Sequence, residues 1–195
     1  MYTRDSHATP AFLAFFARVK LNIGCGQNRV EGYVNTDREP AAEPDVVMDL
    51  EEFPWPFEDN SVEEILANHV LEHVGATANV FIGVMQEIYR VCRPGAMVRI
   101  NVPHPRHNNF IDDPTHVRAI TPMTLSLFSK RNCEEWKKLG AANSPLAIYA
   151  DVDFELRHVN VVVADKYKDA PDLKEMVERY NNIATDYQMV LEVIK

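Results

Sequence analysis

Histidines and charged side chains concentrate in one stretch of the sequence. His104, His107, Asp113, His116 and Arg118 lie within a short distance of one another and hold three of the seven histidines. A histidine can take a proton from a hydroxyl near neutral pH, and a nearby carboxylate can orient its ring. The stretch predicts a substrate site in which His116 or His104 acts as a general base and removes a proton from a substrate hydroxyl. Asp113 is predicted to orient the base. His107 and Arg118 are then the predicted substrate-binding residues.

Two other interpretations of the same stretch stay open. Histidine and carboxylate side chains can hold a divalent ion that activates a hydroxyl. They can also form the ion pairs and hydrogen bonds that keep a long loop in one conformation. The spacing of His104 and His107 is short for a metal loop and contains Pro105. The prediction therefore includes no metal ion.

A second chemical signal is the glycine-rich turn Gly24-Cys25-Gly26, which follows the apolar stretch 19–23. Glycine lacks a Cβ atom, so such a turn lets the backbone bend sharply and approach a ligand. Amide groups at the start of a following helix could bind a carboxylate or phosphate. Asp37 and Asp49 each follow a short predicted strand. These positions suit hydrogen bonds from ribose hydroxyls and from an adenine amino group, respectively.

A dinucleotide such as NAD is the alternative ligand for this turn. The NAD fingerprint requires a small residue three positions after the second glycine. Arg29 stands at that position, and it is too large to pack there. The sequence therefore favours a different adenosine-containing cofactor.

The chain resembles the class I S-adenosylmethionine-dependent methyltransferases, and within them the small type 11 group. The resemblance rests on four stretches in a fixed order, which are 20–26, 53–61, 68–74 and 87–95. It implies S-adenosylmethionine as the cofactor. The residues that it assigns to this cofactor are Gly24, Cys25 and Gly26 at the methionine end, Asp37 at the ribose, Asp49 and Leu50 at the adenine, and Asn68 and His69 beside the sulfonium. It implies a structural or cofactor-shell role for His73.

The acceptor is less well defined than the cofactor. Residues 113–118, Asp-Pro-Thr-His-Val-Arg, resemble a motif of bacterial enzymes that methylate sugars and surface glycans. Enzymes that methylate the amino groups of bases carry an Asn/Asp-Pro-Pro-aromatic tetrad where this chain has 68–71. The expected acceptor is therefore a small-molecule or glycan hydroxyl. An amine, carboxylate or carbon acceptor, or a protein that binds the cofactor without turnover, are the alternatives.

The elements that must position these residues are read from hydrophobic periodicity. Strands are predicted at 19–23, 33–36, 45–48, 62–67, 96–102, 154–164 and 189–194, and helices at 78–92, 123–129, 134–139 and 172–187. Strands that alternate with helices or turns predict an α/β fold. We expect a doubly wound, mostly parallel, seven-stranded sheet with an antiparallel C-terminal strand. Ligands should bind at the carboxyl ends of the strands.

One domain over residues 1–195 is expected. Residues 1–18 are predicted to be an N-terminal helical extension, and residues 104–150 a substrate-covering insertion. The apolar part of 11–19 is too short to cross a membrane. We expect no membrane partner, and the sequence does not predict the oligomeric state.

Composition narrows the class of protein further. The chain is 46% hydrophobic and 25% charged, which is typical of a globular protein, and its net charge is -9. A nucleic-acid partner is not expected, because nucleic-acid binders carry a basic surface that neutralises phosphates. The three cysteines, Cys25, Cys92 and Cys133, are widely spaced. They are expected to be reduced thiols of a cytoplasmic protein.

Overall fold

The computed structural model describes residues 19–195, so the predicted helical extension at 1–18 lies outside the described residues. Seven strands form a single sheet. They are β1 (Val19–Ile23), β2 (Val34–Asp37), β3 (Val46–Val47), β4 (Val62–Asn68), β5 (Cys92–Pro103), β6 (Phe154–Val163) and β7 (Ala184–Val193). Their spatial order is β3-β2-β1-β4-β5-β7-β6.

The sheet confirms the predicted fold class. The pairs among the first five strands are parallel. The C-terminal strand β7 runs antiparallel to both of its neighbours, β5 and β6. The structure is therefore an α/β fold with a mostly parallel seven-stranded sheet and an antiparallel last strand.

Within residues 19–195, six α-helices connect or flank the strands. They are α1 (Ala78–Val91), α2 (Asn108–Ile111), α3 (Pro122–Ser126), α4 (Lys130–Leu139), α5 (Leu146–Ala150) and α6 (Leu173–Arg179), and 3-10 turns lie at Pro40–Ala42, Leu71–His73 and Asp165–Tyr167. The longest helix, α1, begins after Thr77, whose side chain accepts a hydrogen bond from the amide of Val80. Its apolar residues recur at helical spacing, which is why the sequence located it within one residue.

The predicted helix over 172–187 is wrong in its second half. The helix α6 ends at Arg179, and β7 begins at Ala184. Asn182 has a φ of 61° and so cannot continue a helix. Beyond it, β7 lies between β5 and β6 and forms hydrogen bonds on both edges. Pairing with two partners outweighs the local helical preference of this segment.

One face of the sheet carries the hydrophobic core. Leu21 and Ile23 of β1, Ile65 of β4 and Val98 of β5 are fully buried beneath α1. Residues 120–128, from the connection between β5 and β6, join the same cluster. Much of the segment 104–150 therefore packs on the sheet as a crossover. The role of residues 104–150 in covering a substrate stays a prediction.

The opposite face of the sheet is polar. Register places Asn22, Leu66, Arg99, Val190 and His158 in one row across five strands. Asn22 is buried, but Arg99 and His158 are exposed, and Leu66 and Val190 are half-buried. A strand alternates its side chains between the two faces, so the same strands that build the core also build this polar surface.

The connection from β1 to β2 contains turns and no helix among its residues 24–33. Side chains hold it in place instead. The Asn35 carboxamide oxygen accepts hydrogen bonds from Asn22 Nδ2 at 2.9 Å and from the Val30 amide at 2.7 Å. Asp45 accepts hydrogen bonds from the backbone and side chain of Asn35 and pairs with Arg29. Arg29 is thus a residue that fastens the connection.

Among the helices of residues 19–195, none is long and apolar enough to cross a membrane.

Glu64 joins three strands on the polar face. Its carboxylate lies 2.5 Å from Arg99 Nε and 3.2 Å from Lys20 Nζ, and it accepts a hydrogen bond from the Tyr33 hydroxyl. Burial pushes the pKa of Glu64 up, but hydrogen bonds from Arg99, Tyr33 and Lys20 outweigh burial and hold it below the ordinary value. A carboxyl group whose pKa is lower in the folded state stabilises the fold at pH values above its pKa in the unfolded state. This stabilisation is lost as the pH falls through the pKa of the folded state.

We therefore expect Glu64→Gln to lower the free energy of unfolding at pH 7 by about 1–3 kcal/mol. Urea titrations between pH 7 and pH 3 measure the effect. The difference between the two proteins should shrink as the pH falls below about 4.3, where the unfolded Glu protonates. The exposed Glu31→Gln serves as the control. Equal stability of the Glu64 and Glu31 variants at pH 7 would refute the assignment.

Candidate functional site

Two cavities flank the glycine-rich turn at the carboxyl edge of the sheet. The smaller, of about 350 Å³, is lined by residues that follow β1, β2 and β3, together with part of 70–74 and Thr115. The larger, of about 600 Å³, lies between the turn and the polar face of the sheet. Gly24 lines both cavities. The structure therefore places the turn at the point where ligands bind in open α/β sheets.

The conformation of the turn explains why glycine is needed at position 24. Gly24 has a φ of 59°, in the left-handed region, and a Cβ atom added there would lie 2.3 Å from Cγ2 of Val70. The backbone of the turn thus packs directly against the residue that follows β4. Gly26 also has a positive φ, but a Cβ atom added to it would contact nothing within 4 Å.

Asp37 links the turn to the smaller cavity. Its carboxylate accepts a hydrogen bond from the Gly26 amide at 2.8 Å and another from the Glu39 amide at 2.9 Å. The Gly26 amide is therefore already used in a hydrogen bond. No helix follows the turn in the described residues, so the predicted anion site at a helix N-terminus is wrong. Each carboxylate oxygen retains a second lone pair that can accept a ribose hydroxyl.

The rest of the smaller cavity suits an adenosine group. Asp49 and Leu50 line it, as does the buried Met48. Asp49 accepts a hydrogen bond from the Glu51 amide with one oxygen. Apolar walls with a carboxylate at the edge fit a purine ring with an exocyclic amino group. The residues present therefore fit S-adenosylmethionine, and Asp37, Asp49 and Leu50 would hold its adenosine part.

The larger cavity lies at the other side of the turn. Besides Gly24, Cys25 and Gly26 it is lined by Asn68 and His69, the two residues predicted to lie beside the sulfonium. The cofactor residues predicted from sequence are thus divided between the two cavities, and the turn joins them. The roles of the individual residues stay predictions.

His69 lies in a strained backbone conformation at the end of β4. Its φ is 51°, which is rare for a residue other than glycine. Nε2 accepts a hydrogen bond from Asn101 Nδ2 at 3.0 Å and lies 3.5 Å from Asp186, while Nδ1 lies 3.4 Å from Glu72. The nearby Glu72 carboxylate raises the pKa of His69 against the opposing effect of burial.

His104, one of the two predicted bases, is buried at the end of β5. Its ring packs on Tyr187 with a centroid distance of 4.8 Å, and its Nδ1 accepts a hydrogen bond from the Arg106 amide. Burial lowers the pKa of His104. The ring lines neither cavity. These contacts favour a structural role for this histidine.

His116, the other predicted base, lies beside Asp113, the residue predicted to orient it. Its Nε2 is 3.8 Å from Asp113 Oδ2, and its Nδ1 donates to the Phe110 carbonyl oxygen at 2.8 Å. Its ring contacts the ring of His73 with a centroid distance of 4.6 Å. His73 and Thr115 reach the smaller cavity, whereas His116 does not line either cavity.

The two predicted substrate-binding residues are engaged elsewhere. His107 caps the short helix α2, where its Nδ1 accepts a hydrogen bond from the Asn109 amide. Arg118 donates to the Gly75 carbonyl oxygen at 2.6 Å, and its guanidinium lies over the Phe81 ring. Neither residue lines the two cavities, so the structure gives no support to their predicted role.

Sequence reasoning missed three residues of this region. Asn101 and Gln188 line the larger cavity, and Glu72 is buried beside His69. Asn101 sits on a strand that the sequence located, and alternation along that strand could have placed it on the face opposite to Ile100. Gln188 could not have been found, because its position depends on the pairing of the last strand with β5.

Three solved structures share the fold of the chain. A S-adenosylmethionine-dependent methyltransferase from Archaeoglobus fulgidus aligns with a TM-score of 0.60 and 17% identity, over 93% of this chain and 90% of its own. The 1,6-didemethyltoxoflavin-N1-methyltransferase of Burkholderia thailandensis, solved with 1,6-didemethyltoxoflavin and S-adenosylhomocysteine bound, aligns with a TM-score of 0.52 and 16% identity, over 95% and 76%. The [4+2]-cyclase SpnF aligns with a TM-score of 0.55 and 14% identity, over 95% and 80%. At such identities the likeness establishes the fold alone.

The fold and the two cavities define an α/β protein whose candidate ligand site lies at the carboxyl edge of its sheet. A family model described as a methyltransferase domain matches residues 21–100, which contain the turn and the first five strands up to Ile100. No curated protein matches the chain in sequence. Residues 21–100 are therefore similar to a methyltransferase domain, and the chain shares the fold of an S-adenosylmethionine-dependent methyltransferase.

The packing of Gly24 on Val70 gives a stability prediction. In Gly24→Ala the left-handed backbone costs about 1–2 kcal/mol, and the contact with Val70 adds about 1–3 kcal/mol. Urea unfolding should show both losses. Gly32 also has a positive φ, but an added Cβ atom would meet nothing within 4 Å. Gly32→Ala should show only the backbone cost, and equal losses in the two variants would contradict the close approach.

The position of Asp37 gives a binding prediction. Asp37→Asn should weaken S-adenosylhomocysteine binding at least about tenfold, because it removes a charged acceptor of ribose hydroxyls. Isothermal titration calorimetry measures the affinity. Asp165→Asn, on an exposed 3-10 turn, should bind as the wild type does. Wild-type affinity in Asp37→Asn would place the ribose elsewhere.

Proposed function

We propose that this methyltransferase transfers the methyl group of S-adenosylmethionine to a hydroxyl group of a small molecule or of a sugar in a glycan. The observation that carries the proposal is the lining of the larger cavity. Four of the residues that line it carry carboxamide side chains and are exposed or half-buried: Asn28, Asn68, Asn101 and Gln188. A carboxamide offers both donors and an acceptor without charge, which matches a polyhydroxylated ligand.

The carboxamides near the turn retain free hydrogen-bonding capacity. Asn101 donates from Nδ2 to Asn68 Oδ1 at 2.8 Å, which fixes its orientation. Its Oδ1 is buried and accepts no hydrogen bond within the described residues. Gln188 accepts from Asn160 through Oε1, so its own NH₂ group remains available. A buried acceptor without a donor is costly, and a ligand hydroxyl would satisfy it.

The charges of the cavity argue against a carboxylate acceptor. Arg99 lines the cavity, but its guanidinium is paired with the carboxylate of Glu64. A carboxylate ligand would lose its hydration there and would have to compete with Glu64 for Arg99. The chemistry of the wall therefore favours a neutral acceptor, whereas the net charge of -9 disfavours a nucleic acid.

The placement of the histidines revises which ring contacts the acceptor. Methyl transfer requires the attacking oxygen to lie roughly 3 Å from the methyl carbon and in line with it. His69 lines the larger cavity beside the turn, whereas His104 and His116 do not. We therefore assign contact with the acceptor hydroxyl to His69, in place of His116 or His104.

The compartment is a further part of the proposal. Cys25, Cys92 and Cys133 are free and buried. Burial also raises the pKa of the Cys92 thiol to about 12, which keeps it unreactive. Free thiols are typical of a reducing compartment, so we propose a cytoplasmic location.

The experiment that tests the acceptor is a screen of sugars, glycosides and phenols with release of S-adenosylhomocysteine as the readout. Asn101→Ala should lower kcat/KM for the acceptor at least about tenfold, because it removes an orienting hydrogen bond. Its affinity for S-adenosylhomocysteine should stay unchanged. Asn143→Ala, an exposed change outside both cavities, is the matched control.

Other outcomes separate the alternatives. Turnover with amines or carboxylates but with no hydroxyl compound would replace the proposed acceptor class. Tight cofactor binding without turnover on any acceptor would favour a cofactor-binding protein. Unchanged kcat/KM in Asn101→Ala would move the acceptor out of the larger cavity.

A further inference from the structure

Two sequence motifs that lie far apart in the chain meet beside the smaller cavity. His73 comes from the Leu-Glu-His triplet at 71–73, and His116 comes from the Asp-Pro-Thr-His-Val-Arg stretch at 113–118. One ligand atom from each of Glu72, His73 and His116 can be chosen so that all three lie within 4.8 Å of one another. The cofactor and acceptor assignments above use neither His116 nor Glu72.

Glu72 provides the strongest reason to look for a cation here. Its side chain is 1% exposed, and neither carboxylate oxygen accepts a hydrogen bond within the described residues. The nearest polar contact is His69 Nδ1, 3.4 Å from Oε1. A buried carboxylate whose oxygens lack donors is strongly unfavourable unless it is paired or coordinates a metal.

The ring of His116 is oriented as metal-binding histidines are. Its Nδ1 donates to the Phe110 carbonyl oxygen, and its ring stacks on the Phe110 ring. Nε2 is therefore the unprotonated nitrogen of the neutral ring. Metal-ligating histidines in proteins usually donate their other ring nitrogen to a carbonyl or a carboxylate in this way.

The ring of His73 is oriented by a chain of hydrogen bonds. The Thr115 hydroxyl donates to Asp113 Oδ1 at 2.6 Å. With its proton used there, the Thr115 oxygen accepts the proton of His73 Nδ1 at 2.9 Å. Nε2 of His73 is therefore also left with a free lone pair. Both rings thus present an unprotonated Nε2, the form that binds metals.

We propose that Glu72, His73 and His116 form a binding site for a divalent transition-metal ion of the Zn²⁺ type. Two imidazole nitrogens and one carboxylate oxygen form a known three-residue ligand set for Zn²⁺, and the fourth position is left open. Asp113 Oδ2 lies 3.8 Å from His116 Nε2 and stands next to that position.

Binding of the ion requires the three ligand atoms to move closer together. Zinc bonds of about 2.0–2.1 Å place the ligand atoms of a tetrahedral site roughly 3.3 Å apart. The ligand atoms must therefore draw together from separations of up to 4.8 Å. Rotation of the exposed His73 side chain can supply part of this movement. The ion would tie the loop after β5 to the Leu71–His73 turn at the edge of the smaller cavity.

Titration of EDTA-treated full-length protein with Zn²⁺ in a calorimeter tests the proposal. We expect one ion per chain. His73→Gln and His116→Gln should each weaken binding at least about 100-fold. Thr115→Val, which removes the hydroxyl between His73 and Asp113 but no proposed ligand, should weaken it about 10- to 100-fold. His158→Gln, on β6, should bind Zn²⁺ as the wild type does. Circular dichroism checks that each variant is folded.

Substitution with Co²⁺ gives a second readout that does not depend on enzyme activity. Visible absorption of four-coordinate Co²⁺ should appear in the wild type and disappear in His116→Gln. Asp37→Asn should keep this absorption, which separates the metal site from the cofactor site. The proposal is overturned by the absence of saturable binding, by binding that survives both histidine changes, or by a thiolate-to-cobalt band. If Zn²⁺ does not bind, His69 is the partner of the Glu72 carboxylate.

Discussion

The parallel pairing of β2, β1, β4 and β5 determines where the residues of the candidate site lie. Ile23 of β1 pairs with Thr36 on one side and with Ala67 on the other, and Asn68 pairs with Asn101. Because these strands run in one direction and in register, the residues that follow them meet at a single edge. Gly24 packs on Val70 at this edge and lines both cavities.

The short connection between β1 and β2 shapes the larger cavity. In doubly wound folds a helix usually covers the sheet at this place. Here the described connection contains turns, held by Asn22, Asn35 and Asp45. The polar face that remains supplies the wall of the larger cavity, with Asn101 and Gln188 among its residues. The same local feature thus explains both the polar face and the proposed acceptor class.

In the histidine-rich stretch 104–118, residue types alone do not predict which side chains face a cavity. Its side chains do contain a His–Asp contact, that of His116 and Asp113. Yet His104 is buried against Tyr187, and Arg118 is bound to Gly75. Ring direction depends on contacts with residues distant in the chain. The sequence could predict that these groups lie at the carboxyl edge, but it could not predict which of them face a cavity.

The sequence by itself determined the sheet, the turn at Gly24 and the strand-end position of Asp37. These depend on local properties: the alternation of apolar residues, the freedom of glycine and the order of the strands. Tertiary structure alone decided the extent of β7, the division of the predicted cofactor residues between two cavities and the meeting of His73 with His116. Each of those depends on pairing or packing between segments far apart in the chain, which local preference does not encode.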